Sequence, residues 1–166
     1  MTLVTESGAG LADAESFASV DFATAYHAAR GNAAWAPATD DAKESALRKA
    51  TEYLQQVHGL RWKGERMLST QALDWPRWGA IVDNVEVGYD SVPNAIQKAC
   101  ASLALRALSA PLAPDIQRET ASESIAGAVA VTYREGAPAY VRYREIDGLL
   151  ARYLRAGNSG LMVTRA

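Results

Sequence analysis

The segment 61–78 combines aromatic and basic side chains that could contact nucleic acid. It holds three of the chain's four tryptophans, Trp62, Trp75 and Trp78, together with Arg61, Lys63, Arg66 and Arg77. Tryptophan rings stack on the bases of single-stranded DNA, while neighbouring cations contact the phosphates. The segment is therefore a candidate binding surface for single-stranded DNA.

The same tryptophans could instead be buried and hold an irregular segment against the body of a small domain. In that arrangement Pro76 fixes a turn, and Arg77 pairs with a carboxylate such as that of Asp74 or Glu52. Residue types alone leave both interpretations open for each of the three tryptophans.

No group of residues has the spacing of a catalytic or metal site. His27 and His58 are the only histidines, and neither has a carboxylate or cysteine at ligand spacing. Cys100 is the only cysteine and lies on the apolar stripe of a predicted helix, so we expect a buried thiol and no intrachain disulfide. Structural zinc needs four such ligands, and the glycine motifs that bind phosphate are missing. We therefore expect no enzymatic activity, no cofactor and no metal.

Charge and length limit the class of protein further. The 166 residues carry a net charge of −2 with a pI near 5.7, which argues against nucleic-acid binding over the whole surface. Acidic residues outnumber basic ones through Lys49, and the reverse holds from Arg134 onward. Ends of opposite sign favour head-to-tail contacts between copies. No apolar run approaches the ~20 residues that span a bilayer, and no signal peptide is recognisable, so we expect a protein made in the cytoplasm with no membrane partner.

Apolar residues recur at helical spacing in four segments. We predict helices over 20–30, 40–58, 93–109 and 143–155, with Ser19 and Thr39 as N-caps and with Gly31 and Gly59 as left-handed residues that end the first two. The predicted core residues on these helices are Leu47, Leu54, Ile96, Cys100, Leu103 and Leu150. Leu105 falls on the opposite face of the third helix, which favours a partner surface there.

The remaining segments lack helical spacing. Residues 60–90 are expected to be irregular, with one short strand near 85–87. Residues 122–135 alternate in the manner of a β-hairpin, with Val129, Val131 and Tyr133 on its second strand. Residues 1–18 are expected to form an extended arm, and 157–166 a tail that docks on a partner. The predicted fold class is mostly α: one small helical bundle (19–156) with a protruding β-hairpin and extended N- and C-terminal arms.

Several runs of residues resemble a family of tailed-bacteriophage proteins. The most specific are Arg61-Trp62-Lys63-Gly64 and Gln71-Ala72-Leu73-Asp74-Trp75-Pro76-Arg77, and further similar runs are 12–20, 29–35, 42–54 and the helix from Val92 to Leu108. The group is often labelled DnaT-like single-stranded-DNA-binding protein. Its size and layout are also similar to the head–tail connector adaptors, also called head-completion proteins.

The connector resemblance implies a structural subunit of the virion, without catalysis or cofactor. Such a subunit would form a ring, of twelve copies in related systems, beneath the portal protein and above a downstream neck or tail protein. Double-stranded DNA would pass through the ring without specific binding. The alternative that the group's label implies is a single-stranded-DNA-binding protein of phage replication.

The connector resemblance also implies site residues. A C-terminal segment would reach the portal, with Arg155, Leu161, Met162, Val163 and Arg165 in the docking tail. The candidate contacts between subunits are Trp62, Trp75, Arg77, Leu105, Val129, Val131 and Tyr133.

Overall fold

The computed structural model describes residues 2–114, 141 and 143–155. These residues form four α-helices, two 3₁₀ turns and two antiparallel pairs of short strands. The helices are α1 (Val20–Ala28), α2 (Asp40–His58), α3 (Asn94–Ala107) and α4 (Arg144–Leu150), and the 3₁₀ turns are Gly59–Arg61 and Ala151–Tyr153. The strands are β1 (Glu65–Arg66), β2 (Arg77–Trp78), β3 (Ile81–Val82) and β4 (Val85–Glu86). The fold is mixed and compatible with the predicted mostly α class, with small strand pairs in the connection between α2 and α3.

Local capping explains where the first two helices begin. The Ser19 hydroxyl accepts a hydrogen bond from the Phe22 amide, and the Thr39 hydroxyl accepts one from the Ala42 amide. Each contact satisfies an amide that has no partner within its helix. Both predicted N-caps are therefore confirmed, as is the left-handed backbone at Gly31, whose φ is +66°.

The predicted left-handed end of α2 at Gly59 is wrong. Gly59 is right-handed (φ −51°, ψ −43°), and the chain continues directly into the 3₁₀ turn. A Cβ at this position would lie 3.1 Å from an oxygen of the Asp74 carboxylate. Close approach, rather than backbone handedness, accounts for the glycine here.

The core lies between α2 and α3, and α4 packs against α3. All six predicted core residues are buried: Leu47, Leu54, Ile96, Cys100, Leu103 and Leu150. Burial raises the pKa of the Cys100 thiol, which contacts the Thr51 hydroxyl at 3.4 Å. This thiol is therefore a core group, as predicted.

Helix α4 is shorter than the predicted 143–155 because the chain leaves it to pair with the start of the α2–α3 connection. The Lys63 amide donates to the Tyr153 carbonyl at 2.9 Å, and the Arg155 amide donates to the Arg61 carbonyl at 2.6 Å. These bonds flank an antiparallel bridge between Trp62 and Leu154. The last described residues are thus joined to the segment that carries the tryptophans.

The N-terminal segment differs from the predicted extended arm. Thr5 and Ser16 form a bridge, and Phe17 and Ala18 are buried in the core. The segment folds back because the buried carboxylate of Glu6 accepts hydrogen bonds from three amides of the loop that follows it. Residues 2–18 are therefore part of the domain.

Two short strand pairs are present in the described residues, whereas the hairpin predicted near 122–135 stays a prediction. That segment, with Val129, Val131 and Tyr133, lies outside the described residues. In the described part, β1 pairs with β2 and β3 pairs with β4. The β3–β4 turn consists of Asp83 and Asn84, both with positive φ (52° and 65°), as two-residue hairpin turns require.

Candidate nucleic-acid interface

Two of the three tryptophans in segment 61–78 belong to the core. Trp62 is 1% exposed and Trp75 is fully buried. Their rings meet edge to face with centroids 5.9 Å apart, and Trp75 meets Tyr153 in the same way at 6.0 Å. The Trp62 indole N–H donates to the Asp74 carboxylate at 3.2 Å. Neither indole presents a face to solvent, so this conformation corrects their assignment as subunit contacts or base-stacking platforms.

Trp78 has the opposite environment. It stands on β2, directly after the buried Arg77, and is 57% exposed. All the large apolar side chains that are exposed in the described part of the chain lie in the same α2–α3 connection; they are Leu60, Leu68, Trp78, Ile81, Val85 and Tyr89. Their concentration in one connection makes this part of the chain the candidate region for binding a partner.

Two cations lie beside the strand that carries Trp78. The Lys63 ammonium donates to the Ile81 carbonyl at 3.1 Å, and the Arg155 guanidinium donates to the Gly64 carbonyl at 3.0 Å. Gly64 touches the Trp78–Ala80 backbone so closely that a Cβ there would lie 2.4 Å from the Trp78 carbonyl oxygen. Trp78, Lys63 and Arg155 form what we call the Trp78 surface.

Further charged residues lie around this surface. Arg152 forms an exposed ion pair with Asp83 at 2.8 Å, which ties the β3–β4 turn to the second 3₁₀ turn. The Arg66 guanidinium donates to the Gln71 carbonyl. Because Arg152 is already paired with a carboxylate, it adds less positive potential than Lys63 or Arg155 does.

Arg77 lies beneath the Trp78 surface and makes three hydrogen bonds to backbone carbonyls. Nε donates to Lys63 at 2.8 Å, and the two terminal nitrogens donate to Asp74 at 3.1 Å and to Gly64 at 2.7 Å. Arg77 was expected to pair with a carboxylate, but its hydrogen bonds go to carbonyls. The Asp74 carboxylate instead accepts a hydrogen bond from the Trp62 indole. Desolvation lowers the pKa of the Arg77 guanidinium, and the Asp74 charge opposes that shift.

Gln71, at the start of the run that ends in Arg77, has an equally internal role. Its buried amide donates to the carbonyls of Leu73 at 2.7 Å and Pro76 at 3.1 Å, and its oxygen accepts from the Leu68 amide at 2.8 Å. The specific run 71–77 thus builds a scaffold, and the large exposed side chain next to it is that of the following residue, Trp78.

The other predicted contact residues are scattered. Leu105 is partly buried and packs against the core, which leaves little of it for a partner. Arg155 is exposed and belongs to the Trp78 surface. Leu161, Met162, Val163 and Arg165 lie outside the described residues, as do Val129, Val131 and Tyr133.

Sequence reasoning predicted a short strand near 85–87, which matches β4, but missed its pairing with β3 and the link of the hairpin to Arg152. A signal was present, because Asp83 and Asn84 separate the apolar pair Ile81–Val82 from Val85, and such turn residues between β-branched runs are typical of a tight hairpin. The ion pair of Arg152 with Asp83 joins positions 69 residues apart and leaves no mark in local sequence.

Neither histidine in the described residues exposes its ring to solvent to any extent that suggests a catalytic or metal site. His27 and His58 are both buried. The His27 ring contacts the Ala101 carbonyl and the Asn32 side chain, each at 3.0 Å. Within residues 2–114, 141 and 143–155, no cluster of three or more histidine, cysteine or acidic side chains could hold a metal ion. No helix of this same part of the chain has the length and apolar character to cross a bilayer.

Comparison with models of protein families gives a match over the whole chain. The model of a family described as "Putative DnaT-like ssDNA binding protein" matches residues 1–166. No curated protein and no solved structure matches the chain. Since the match spans the whole sequence, the chain belongs to this DnaT-like family.

Proposed function

We propose that the protein binds single-stranded DNA through the Trp78 surface. The observation that carries this proposal is the exposed Trp78 ring on a backbone segment that lies against Gly64 and Ile81, whose carbonyls bind the cations of Arg155 and Lys63. The family description supports it. The proposed role needs no catalysis and no cofactor.

Each component of the surface fits one component of a nucleotide. The Trp78 ring is available for stacking on a base, which contributes about 1–3 kcal/mol and tolerates any base. Lys63 and Arg155 carry more donors than their carbonyl contacts use, and those donors suit phosphate oxygens. Because the chain as a whole is slightly acidic, we expect binding confined to this surface and weakened by salt.

The test is binding of a fluorescently labelled oligothymidine, measured by anisotropy at low salt. Trp78→Ala should weaken binding by the stacking contribution of about 1–3 kcal/mol. Leu60→Ala is the control, since Leu60 is fully exposed but apolar and not aromatic. Failure of the wild-type protein to bind at low salt would exclude the proposal.

A second proposed function is a subunit of the phage head–tail connector, located in the virion. The observation that favours it is that the large exposed apolar side chains of the described residues all lie in segment 60–89, where a neighbouring copy could cover them. In this role the partners would be further copies of the chain, the portal protein and a downstream neck or tail protein, with double-stranded DNA passing through.

The two proposed functions predict different oligomeric states of the protein. A connector subunit should form rings, alone or on purified portal, that are visible by mass photometry and negative-stain microscopy. Replacement of Ile81 and Val85 by serine should reduce that assembly. A protein that stays monomeric with portal present, yet binds oligothymidine, would leave only the first proposal.

A further inference from the structure

We infer that Arg77 is a positioning residue that holds Lys63 and Trp78 in the arrangement that contacts DNA. This inference rests on the proposed function. Arg77 itself is buried and would not touch the DNA. It acts through the backbone of the residues that would.

The contacts of Arg77 join the two chain segments of the Trp78 surface. Its side chain binds the carbonyls of Lys63 and Gly64 on one segment, while its own backbone on β2 precedes Trp78. The Gly64 carbonyl also accepts from Arg155 at 3.0 Å. Arg77 and Arg155 therefore bind the same carbonyl, that of Gly64, and Arg77 also holds the backbone of Lys63.

A guanidinium is required because its donors form a planar fork. Three carbonyls, those of Lys63, Asp74 and Gly64, surround the group at 2.7–3.1 Å. A lysine ammonium has the same charge but is a compact point donor that cannot bridge carbonyls in this geometry. Among the described residues Arg77 forms no ion pair, so geometry rather than charge pairing is what Arg77→Lys removes.

A double-mutant cycle tests the inference with the full-length chain and oligothymidine at several salt concentrations. Lys63→Ala should reduce the slope of log affinity against log salt by about 0.7, the value of one phosphate contact on single strands. Arg77→Lys should reduce the slope by the same amount, although the charge is kept. In the Lys63→Ala background, Arg77→Lys should reduce the slope no further.

Circular dichroism melting checks that each variant is folded. If Arg77→Lys does not fold, Arg77→Gln is the second variant with the same expectation, because a neutral amide is less costly to bury than a displaced charge. A wild-type slope in the Arg77 variant, or additive slope losses in the double variant, would overturn the inference while leaving the proposed function intact. No binding by the wild-type protein would overturn both.

Discussion

Glu65 and Trp78 are direct partners across the β1–β2 pair. Side chains of directly opposed residues in an antiparallel pair project from the same face, with Cβ atoms about 4.5–5.5 Å apart. An exposed carboxylate therefore stands beside the exposed indole that we propose to stack on a base. Its charge has the same sign as a DNA phosphate, so Glu65 should oppose the binding that Lys63 and Arg155 favour.

Glu65→Gln should consequently tighten binding of oligothymidine. We expect a gain of about two- to fivefold at low salt, the size of a screened repulsion between charges near water, and a smaller gain at high salt. Anisotropy titrations at two salt concentrations measure both quantities.

The matched control is Asp41→Asn, which removes the same charge from the first turn of α2. That turn is about 27 Å along the helix from the end that leads into segment 61–78. The control should leave affinity close to that of the wild type. Equal gains from both variants would attribute the effect to net charge and contradict a local role for Glu65.

Much of the helical fold was predictable because it depends on neighbours in sequence. Ser19 and Thr39 each cap an amide three residues away, and the apolar stripe of α3 has a regular period. The fold of the N-terminal segment was not predictable, because its glycines and small residues are typical of a flexible arm. What folds the segment is one carboxylate, that of Glu6, and composition does not reveal where a carboxylate points.

The candidate site was predictable as a region but not as a surface. The concentration of tryptophan and arginine in 61–78 is visible in the sequence, whereas the choice of exposed ring is not. Trp62 is buried because Leu154 bridges to it from the far end of the chain. Trp75 is buried against Tyr153 from the same distant segment. These long-range contacts explain why Trp62 and Trp75 are buried while Trp78 is exposed.

Leu103→Ala should strongly destabilise the domain. Leu103 is fully buried on α3, and truncation of a buried leucine costs about 2–5 kcal/mol through lost burial and the cavity left behind. Urea denaturation followed by circular dichroism measures the loss. Leu60→Ala is the matched control, because Leu60 is fully exposed and its truncation should change the free energy of unfolding very little. Similar values for the two variants would contradict the packing of α3.

His27 should make the domain less stable in acid. Burial lowers the pKa of His27 from its usual value of 6.5; the hydrogen bond to the Ala101 carbonyl opposes this shift in part, and the nearby charge of Arg30 adds a smaller lowering effect. The folded state therefore prefers the neutral ring. The stability that this group contributes is complete above about pH 6.5 and is lost as the pH falls toward the lowered pKa of the folded state.

Asn32→Asp should reduce this acid sensitivity. The Asn32 amide nitrogen lies 3.0 Å from Nδ1 of His27. A carboxylate at position 32 would accept a hydrogen bond from the protonated Nδ1 and would therefore favour the charged ring. Unfolding free energies at pH 7.5 and pH 5.5 should differ less in the variant than in the wild type. An equal or larger difference in the variant would show that His27 does not govern the acid response.

Glu6→Gln should destabilise the N-terminal segment. The two oxygens of the buried Glu6 carboxylate accept from the amides of Gly8 at 2.8 Å, Gly10 at 3.0 Å and Leu11 at 2.9 Å. Glutamine replaces one acceptor oxygen with an NH₂ donor, which would face at least one of these N–H groups. A buried amide left without an acceptor costs about 1–3 kcal/mol.

The loss should spread to the scaffold of the Trp78 surface, because the Leu11 carbonyl accepts from the Ala72 amide at 2.9 Å. Hydrogen exchange at Ala72 should therefore accelerate in Glu6→Gln, along with a lower melting temperature. Asp13→Asn removes the same charge from an exposed position a few residues later and should change neither quantity. A variant Glu6→Gln with wild-type melting and wild-type exchange at Ala72 would mean that the carboxylate does not hold the loop.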